Sequence, residues 1–240
     1  YPEDTVPFYS VLSGNTIWTK GKPHVVFGML IVDSATVLRM EAGTKVYFAS
    51  GASLIIYRGG TLEIKGSLTE PVIIEGIRRE LSYSEIPGQW DRIWLTMGSI
   101  NNIIDYAIIK NGTVGIQVDT FANINPSLII KNSIIKNMSS TAIYAQGAKI
   151  KASNTILSNC GEYLTMLSIG GDYQFIHCTM YNSYNSSERV TPSVWLQNYY
   201  IDIYGNTQLR GLSAYFGNTI IYGNIDNELM FVKNENTKFN

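Results

Sequence analysis

Aromatic, arginine and carboxylate side chains gather in two segments of the chain, 77–92 and 183–192. Six of these side chains, one of them between the segments, are candidate binding residues: Tyr83, Trp90, Arg92, Tyr163, Tyr184 and Arg189. Aromatic rings pack on the apolar faces of sugar rings, and charged planar groups hydrogen-bond to hydroxyls. The set therefore predicts a surface that binds a glycan or a protein. The competing interpretation is that these residues only hold long loops against the body of the protein.

Catalysis has weaker support. Hydrolysis or elimination on a polysaccharide needs an acid and a base within reach of one bond. The one plausible mixture of this kind is segment 77–92, with Glu85 and Arg92, taken together with Glu188 and Arg189. Neighbouring carboxylates occur only at residues 3–4. The sequence thus leans against an enzyme and assigns no catalytic residue. A polysaccharide lyase or glycoside hydrolase of the pectin-lyase-like fold stays the alternative.

Metal and cofactor sites are not predicted. The two cysteines, Cys160 and Cys178, match no metal or redox spacing, and His24 and His177 are isolated. Cys178 lies in the run 175–180, which is predicted as one buried strand, and this favours an inert core thiol. No phosphate- or dinucleotide-binding motif is present, so no cofactor is expected.

The charge and the apolar runs exclude two kinds of partner. Eighteen basic and 19 acidic residues give a net charge of −1, which offers no attraction for nucleic acid. The longest apolar run, 25–32, is far shorter than the roughly 18–20 residues of a membrane span. Neither a nucleic-acid-binding protein nor a membrane-spanning one is therefore predicted.

Internal repetition predicts the fold. Three short segments recur in order: 30–33 with 54–57, 37–40 with 61–64, and 46–48 with 72–74. The offsets are 24, 24 and 26 residues, too short for a helix between parallel strands, whereas a solenoid stacks each strand on its counterpart. We predict an all-β, right-handed parallel β-helix with three short strands and about 22–26 residues per rung. The hand follows the general rule for parallel crossovers, and a β-sandwich or propeller is the alternative.

One strand of the repeat recurs five times and ends each time in a residue suited to a tight turn. Its large inward positions are Ile74, Ile109, Ile135, Leu157 and Met180. Its final positions form a predicted structural turn ladder: Gly76, Asn111, Asn137, Asn159 and Asn182. Glycine and asparagine tolerate positive φ, and stacked asparagines can hydrogen-bond to one another. The next strand of these rungs is predicted at 115–118, 142–145 and 193–196, with 166–169 as a looser fourth member.

The repeat also predicts the organisation of the chain as one β-helix domain, 1–240. Residues 1–24 are expected to form its N-terminal edge, and residues 25–240 its stacked rungs. Segments 77–92 and 183–192 leave the same corner, so both loops should emerge on one edge of the solenoid. Such an edge is often a binding face. The irregular stretch 198–210 is placed at a different corner.

Several segments resemble a family of right-handed parallel β-helix repeat proteins of Bacteroidetes, and the resemblance covers nearly the whole chain. They are 22–26, 43–47, 87–90, 132–138, 144–147, 159–163 and 170–178. The resemblance implies an exported lipoprotein of the cell envelope or outer-membrane surface. It also implies an immunoglobulin-like domain before the chain and more β-helix after it, so the chain is expected to be the central part of a longer protein. The family has no established activity, so the resemblance implies no catalytic residue.

The resulting hypothesis is a non-catalytic surface module whose corner loops bind a polysaccharide or another envelope protein. The lyase or hydrolase is one alternative, and a structural spacer is the other. The sequence indicates no oligomeric state.

Overall fold

The computed structural model describes residues 4–119 and 126–240, and short β-strands make up most of this part. The first strands are β1 (Asp4–Val6), β2 (Tyr9–Leu12), β3 (Thr16–Trp18), β4 (His24–Val26), β5 (Met29–Val32), β6 (Val37–Glu41), β7 (Lys45–Phe48), β8 (Ser53–Ile56) and β9 (Thr61–Lys65). The next are β10 (Val72–Gly76), β11 (Ile93–Leu95), β12 (Asn102–Asp105), β13 (Ala107–Lys110), β14 (Val114–Val118), β15 (Leu128–Lys131), β16 (Ile134–Lys136), β17 (Thr141–Gln146) and β18 (Lys149–Ser153). The last are β19 (Ile156–Ser158), β20 (Tyr163–Ser168), β21 (Gly171–Ile176), β22 (Thr179–Asn182), β23 (Val194–Gln197), β24 (Tyr199–Ile201), β25 (Thr207–Leu209), β26 (Leu212–Gly217), β27 (Ile220–Gly223) and β28 (Leu229–Val232). A single-turn 3₁₀ helix, Leu81–Tyr83, lies between β10 and β11.

The strands stack into three parallel sheets, and each complete rung contributes one strand to each sheet. Sheet A has the order β1-β4-β7-β10-β13-β16-β19-β22-β27, and sheet B has the order β2-β5-β8-β11-β14-β17-β20-β23-β28. Sheet C has the order β26-β21-β18-β15-β12-β9-β6-β3, while β24 and β25 form a small antiparallel hairpin. The protein is a right-handed parallel β-helix with three strands per rung, and the predicted fold is confirmed.

The core is a column of aliphatic side chains inside the coil. Successive partners in sheet A pair Ile74 with Ile109, Ile109 with Ile135, Ile135 with Leu157, and Leu157 with Met180, as predicted. All five are at most 1% exposed. Each such side chain contributes about 1.5–3 kcal/mol of burial free energy, so the stacked column is a main source of stability.

Two predicted pairings are shifted by two residues. Val46 pairs with Ile74 rather than with Val72, because the turn 66–71 is longer than its counterpart in the preceding rung. In sheet B, segment 164–167 takes the place predicted for 166–169. A shift of two keeps the same face of a strand inward, so the apolar pattern is equally satisfied by both registers.

The turn ladder is confirmed at three of its five positions. Asn111, Asn137 and Asn159 have φ of 64°, 58° and 53°, and the Asn137 Nδ2 donates to Asn111 Oδ1 at 2.7 Å. The prediction of a tight turn is wrong for Gly76 and Asn182. Both end their strands in extended conformation, because the chain there continues into the long loops 77–92 and 183–192 rather than turning at once.

Two further segments differ from their predictions. From residue 4 onward, the predicted N-terminal edge forms a full rung, because β1, β2 and β3 pair with β4, β5 and β6. Residues 1–3 lie outside the described part. The predicted strand 175–180 is broken at His177, which is exposed at a corner with φ of 55°, so β21 and β22 belong to different sheets.

Candidate functional site

Trp90 is part of the core and not of a binding surface. Its side chain is 1% exposed, and its ring stacks on Phe48 with 4.9 Å between centroids. The indole Nε1 donates to the Lys110 carbonyl at 2.9 Å. The ring also lies so close to Gly112 that a Cβ there would sit 2.8 Å from it. No face of Trp90 is therefore available to a ligand, contrary to the sequence-based expectation.

The rest of loop 77–92 lies against the outer face of sheet A. Glu85 accepts from Lys136 Nζ at 3.1 Å, and the Ser84 carbonyl accepts from Lys110 Nζ at 3.1 Å. Tyr83 is half-buried beneath the Arg78 guanidinium, which lies 3.8 Å above its ring. The loop thus spans the corner and attaches itself to the next two rungs.

Loop 183–192 is attached in the same way. The Arg189 side chain is fully buried and forms a 2.5 Å ion pair with Glu228, while Tyr184 is 7% exposed. Burial disfavours the ionised Glu228 carboxylate, but hydrogen bonds from Arg189 and Ser193 outweigh it and hold the pKa of Glu228 below its usual value. These residues hold the loop onto the last rung and are not presented to a ligand.

The other two candidate residues lie on the outer face of sheet B. Arg92 is ion-paired with Asp91 at 2.9 Å and also donates to the side-chain oxygen of Gln117. The rings of Tyr163 and Trp195 pack edge to face, with 5.9 Å between their centroids. Both residues therefore lie on the outer face of sheet B, a surface that the sequence-based prediction does not include.

An in-register file of outward side chains runs along this face. It consists of Trp94, Gln117, Tyr144, Met166 and Trp195, which pair in register from β11 to β23. We name these five residues the sheet B wall. All are partly exposed except Gln117, which is 7% exposed. Because neighbouring strands are about 4.8 Å apart, the aromatic members recur on every second rung, roughly 10 Å apart.

Hydrogen bonds fix the polar groups of the wall. Asp119 accepts from Trp94 Nε1 at 2.5 Å and from Gln117 Nε2 at 2.9 Å. The Tyr144 hydroxyl accepts from Gln146 Nε2 at 2.6 Å, and burial, with a smaller contribution from the Asp119 charge, raises the pKa of Tyr144. The phenol therefore stays protonated at neutral pH and can donate to a ligand oxygen.

Glu85 and Arg92, two members of the acid and base mixture of the enzyme alternative, lie on different faces of the coil. Glu85 lies at Lys136 on the outside of sheet A, whereas Arg92 lies at Gln117 on the outside of sheet B. Within 4–119 and 126–240, no group of three or more His, Cys, Asp or Glu side chains is placed to hold a metal ion. In the same ranges, no helix has the length and apolar character needed to cross a bilayer.

The sequence carries a signal for the wall. The alignment of 115–118, 142–145 and 193–196 places Gln117, Tyr144 and Trp195 at one outward position. The prediction of the fold depends on the inward columns, so this outward column does not enter it. Trp94 cannot be aligned with this outward position from the sequence, because the long loop 77–92 interrupts the repeat just before its strand.

Comparisons of the chain with protein-family models, with curated proteins and with solved structures find no match in any of the three. The resemblance to β-helix repeat proteins of Bacteroidetes therefore stays an expectation. A function must therefore be inferred from the chemistry of the sheet B wall.

Proposed function

We propose that the protein is a non-catalytic module of the cell envelope that binds a polysaccharide along the sheet B wall. The observation that carries this proposal is the in-register file of side chains on β11 to β23, in which the three aromatic residues and Met166 are partly exposed. These strands are all interior to sheet B, so their backbone groups are paired on both sides. A rigid support of this kind lowers the ordering cost of binding.

The shape of the wall favours a linear polymer over a globular partner. A standard protein interface buries about 800 Å² on each partner, spread over some 20–30 residues. The sheet B wall is a column of five side chains along the helix axis, flanked by Arg92 and Tyr163, so it matches a chain that runs along that axis. Aromatic surface with neutral hydrogen-bonding groups also matches the alternating apolar and hydroxyl surfaces of sugars. The location in the envelope is inferred only from the resemblance described above.

The state of the nearby carboxylates supports binding rather than turnover. Asp91 is paired with Arg92 and accepts from Ser53 Oγ at 2.8 Å. Asp119 accepts from two side chains of the wall. Glycoside hydrolysis needs two carboxyl groups poised around one bond, whereas these two hold neighbouring side chains in place.

Affinity electrophoresis tests the proposal. The wild-type protein, Trp94→Ala and a control, Tyr181→Ala, are run in native gels that contain cellulose derivatives, mannan, β-glucan, pectin or host glycans, and the gels are then stained for polymer. Tyr181 is a matched control because it is an exposed aromatic residue on sheet A, stacked on Tyr222 at 5.7 Å. We expect at least one polymer to retard the wild type and Tyr181→Ala but not Trp94→Ala, without cleared zones.

Two results would overturn the proposal. Cleared zones around the wild-type band would show turnover and favour the lyase or hydrolase. Free migration through every polymer would favour a structural spacer or a protein-binding part.

A further inference from the structure

The spacing of the wall indicates which kind of glycan it accepts. Building on the proposed function, we propose that the ligand is a straight, uncharged, β-(1→4)-linked glycan, which lies parallel to the helix axis with one disaccharide unit for every two rungs. The evidence consists of the periodicity of the aromatic residues, the in-register stacking of the file and the charge of its surroundings.

The aromatic residues are periodic. Trp94 on β11, Tyr144 on β17 and Trp195 on β23 are separated by one intervening strand each, β14 and β20. At about 4.8 Å per strand, the aromatic repeat is roughly 10 Å, and the whole file from Trp94 to Trp195 is roughly 19 Å long. Gln117 and Met166 occupy the positions between the rings.

This period matches a β-(1→4)-linked chain. In such a chain, successive sugars are turned over, so the same sugar face recurs once per disaccharide, and one disaccharide is close to two rungs in length. A chain on the wall would therefore present equivalent faces to Trp94, Tyr144 and Trp195 in turn. One alternate sugar would lie over Met166, an adaptable thioether. The other would lie over the buried Gln117 and its polar partners Arg92 and Asp119. An α-(1→4)-linked chain is curved, so its sugar faces would not meet the stacked rings in turn.

The file has limited length. Below Trp94 the same outward position is occupied by Ile55 and then Ile31, and above Trp195 by Met230. Aliphatic side chains at these positions continue the strand ladder without a planar ring. Affinity should consequently increase with chain length until the glycan reaches from Trp94 to Trp195 and then level off.

The charges beside the wall disfavour acidic sugars. Arg92 contacts the wall, and its guanidinium is engaged by Asp91 and Gln117. Two carboxylates, Asp91 and Asp119, lie in the same cluster. A glycan that carries uronate or sulfate groups would be repelled by them, whereas a neutral glycan meets amide, hydroxyl and indole groups.

Calorimetric titration tests the inference with cellobiose, cellotetraose and cellohexaose as probes. Maltohexaose and an oligogalacturonate of similar length serve as the curved and the acidic controls. We expect the affinity of the wild type to rise at least about tenfold from cellobiose to cellohexaose, equivalent to about 1.4 kcal/mol. Both controls should bind at least about tenfold more weakly than cellohexaose.

Three variants connect this length dependence to the wall. Trp195→Ala should bring cellohexaose down to the affinity of cellotetraose and leave cellobiose unchanged. Tyr144→Ala should weaken cellohexaose about tenfold, whereas Tyr144→Phe, which keeps the ring, should stay within about twofold. Each melting temperature is measured alongside, so a folding defect is recognised as such.

The two proposals fail in different ways. Tighter binding of maltohexaose or of the oligogalacturonate, or the same affinity for all three cello-oligosaccharides, would overturn the β-(1→4) assignment. If another polysaccharide still retards the wild type and not Trp94→Ala in the gels, the proposed function survives that result. If no polysaccharide does so, both proposals fail.

Discussion

The corner loops and the sheet B wall contain the same kinds of residue and use them in opposite ways. Trp90 and Trp94 are only four residues apart, yet the first is 1% exposed against Phe48 and the second stands on the outer face of β11. Arg189 is fully buried in an ion pair, whereas the Arg92 side chain is 28% exposed beside the wall. In the loops these side chains stabilise the fold, and on the wall they are available to a ligand.

The difference follows from how each region satisfies its backbone. The backbone of a long loop pairs with neighbouring rungs only in part, as residues 88–91 do, so side chains such as Trp90 and Arg189 help to hold the loop. An interior strand of a parallel stack has its peptide groups paired above and below. Its outward side chains are not needed for that purpose and can serve recognition. Residue type alone therefore does not predict which of these side chains are exposed.

The largest expected effect is on stability, at Trp90. Trp90→Ala removes a buried ring and its hydrogen bond to Lys110, and should lower the free energy of unfolding by about 3–5 kcal/mol. Chemical denaturation measures this change. At temperatures where the variant is folded, its retardation in polysaccharide gels should equal that of the wild type. If Trp90→Ala lost its retardation while its melting temperature stayed unchanged, Trp90 would act in binding and not in stability, which would contradict the contrast between loop and wall.

A comparable loss is expected at the attachment of loop 183–192. Glu228→Gln leaves Arg189 buried without its counter-ion and should cost about 3–5 kcal/mol at neutral pH. Since the pKa of Glu228 is lowered on folding, its contribution is present above the ordinary glutamate pKa of about 4.3 and is lost as the pH falls through the lower folded value.

The melting temperatures of the wild type and Glu228→Gln should therefore converge as the pH is lowered from neutrality to about 3. Glu235→Gln is the control, because Glu235 forms an exposed pair with Lys233. It should match the wild type at every pH. A gap between the wild type and Glu228→Gln that persists in acid would contradict the account.

The turn ladder should give an intermediate effect. Asn137→Val forces a β-branched residue to φ of 58° and removes the hydrogen bond to Asn111, which together should cost about 2–3 kcal/mol. Asn137→Gly relieves the strain and loses only the hydrogen bond, so its melting temperature should lie between those of Asn137→Val and the wild type. Equal melting temperatures for the two variants would show that backbone strain at this corner is unimportant.

The smallest effect on stability is expected on the wall. Tyr144→Ala removes a half-buried ring that contributes through cross-strand contacts, and should cost about 1 kcal/mol or less. Thermal denaturation measures the change. The variant should nevertheless lose more binding than any corner-loop variant, and a destabilisation as large as that of Trp90→Ala would mean that the wall is part of the core.

The sequence could predict the fold because a repeated strand exposes its own register. The column from Ile74 to Met180 and the asparagines at 111, 137 and 159 were identified correctly. Errors arose where the pattern is degenerate, as at Val46, whose two possible partners differ by two residues and face the same way.

The candidate site was harder to predict because its members are distant in sequence and ordinary in type. Trp94, Tyr144 and Trp195 are separated by about two rungs each, so only a full register brings them together. The sequence favours Trp90 as a binding residue because it lies among charged residues in a long loop. Nothing in its local sequence shows that the ring turns back onto Phe48 and Gly112.

The most direct test of the account uses the four tryptophans as reporters. The indole N–H signals of Trp18, Trp90, Trp94 and Trp195 are assigned in ¹H–¹⁵N spectra with single Trp→Phe variants, and cellohexaose is then titrated into the wild type. The account predicts that the signals of Trp94 and Trp195 shift, while those of the buried Trp18 and Trp90 stay in place. A shift of Trp90 without any change at Trp94 and Trp195 would contradict it and return the binding site to the corner loop.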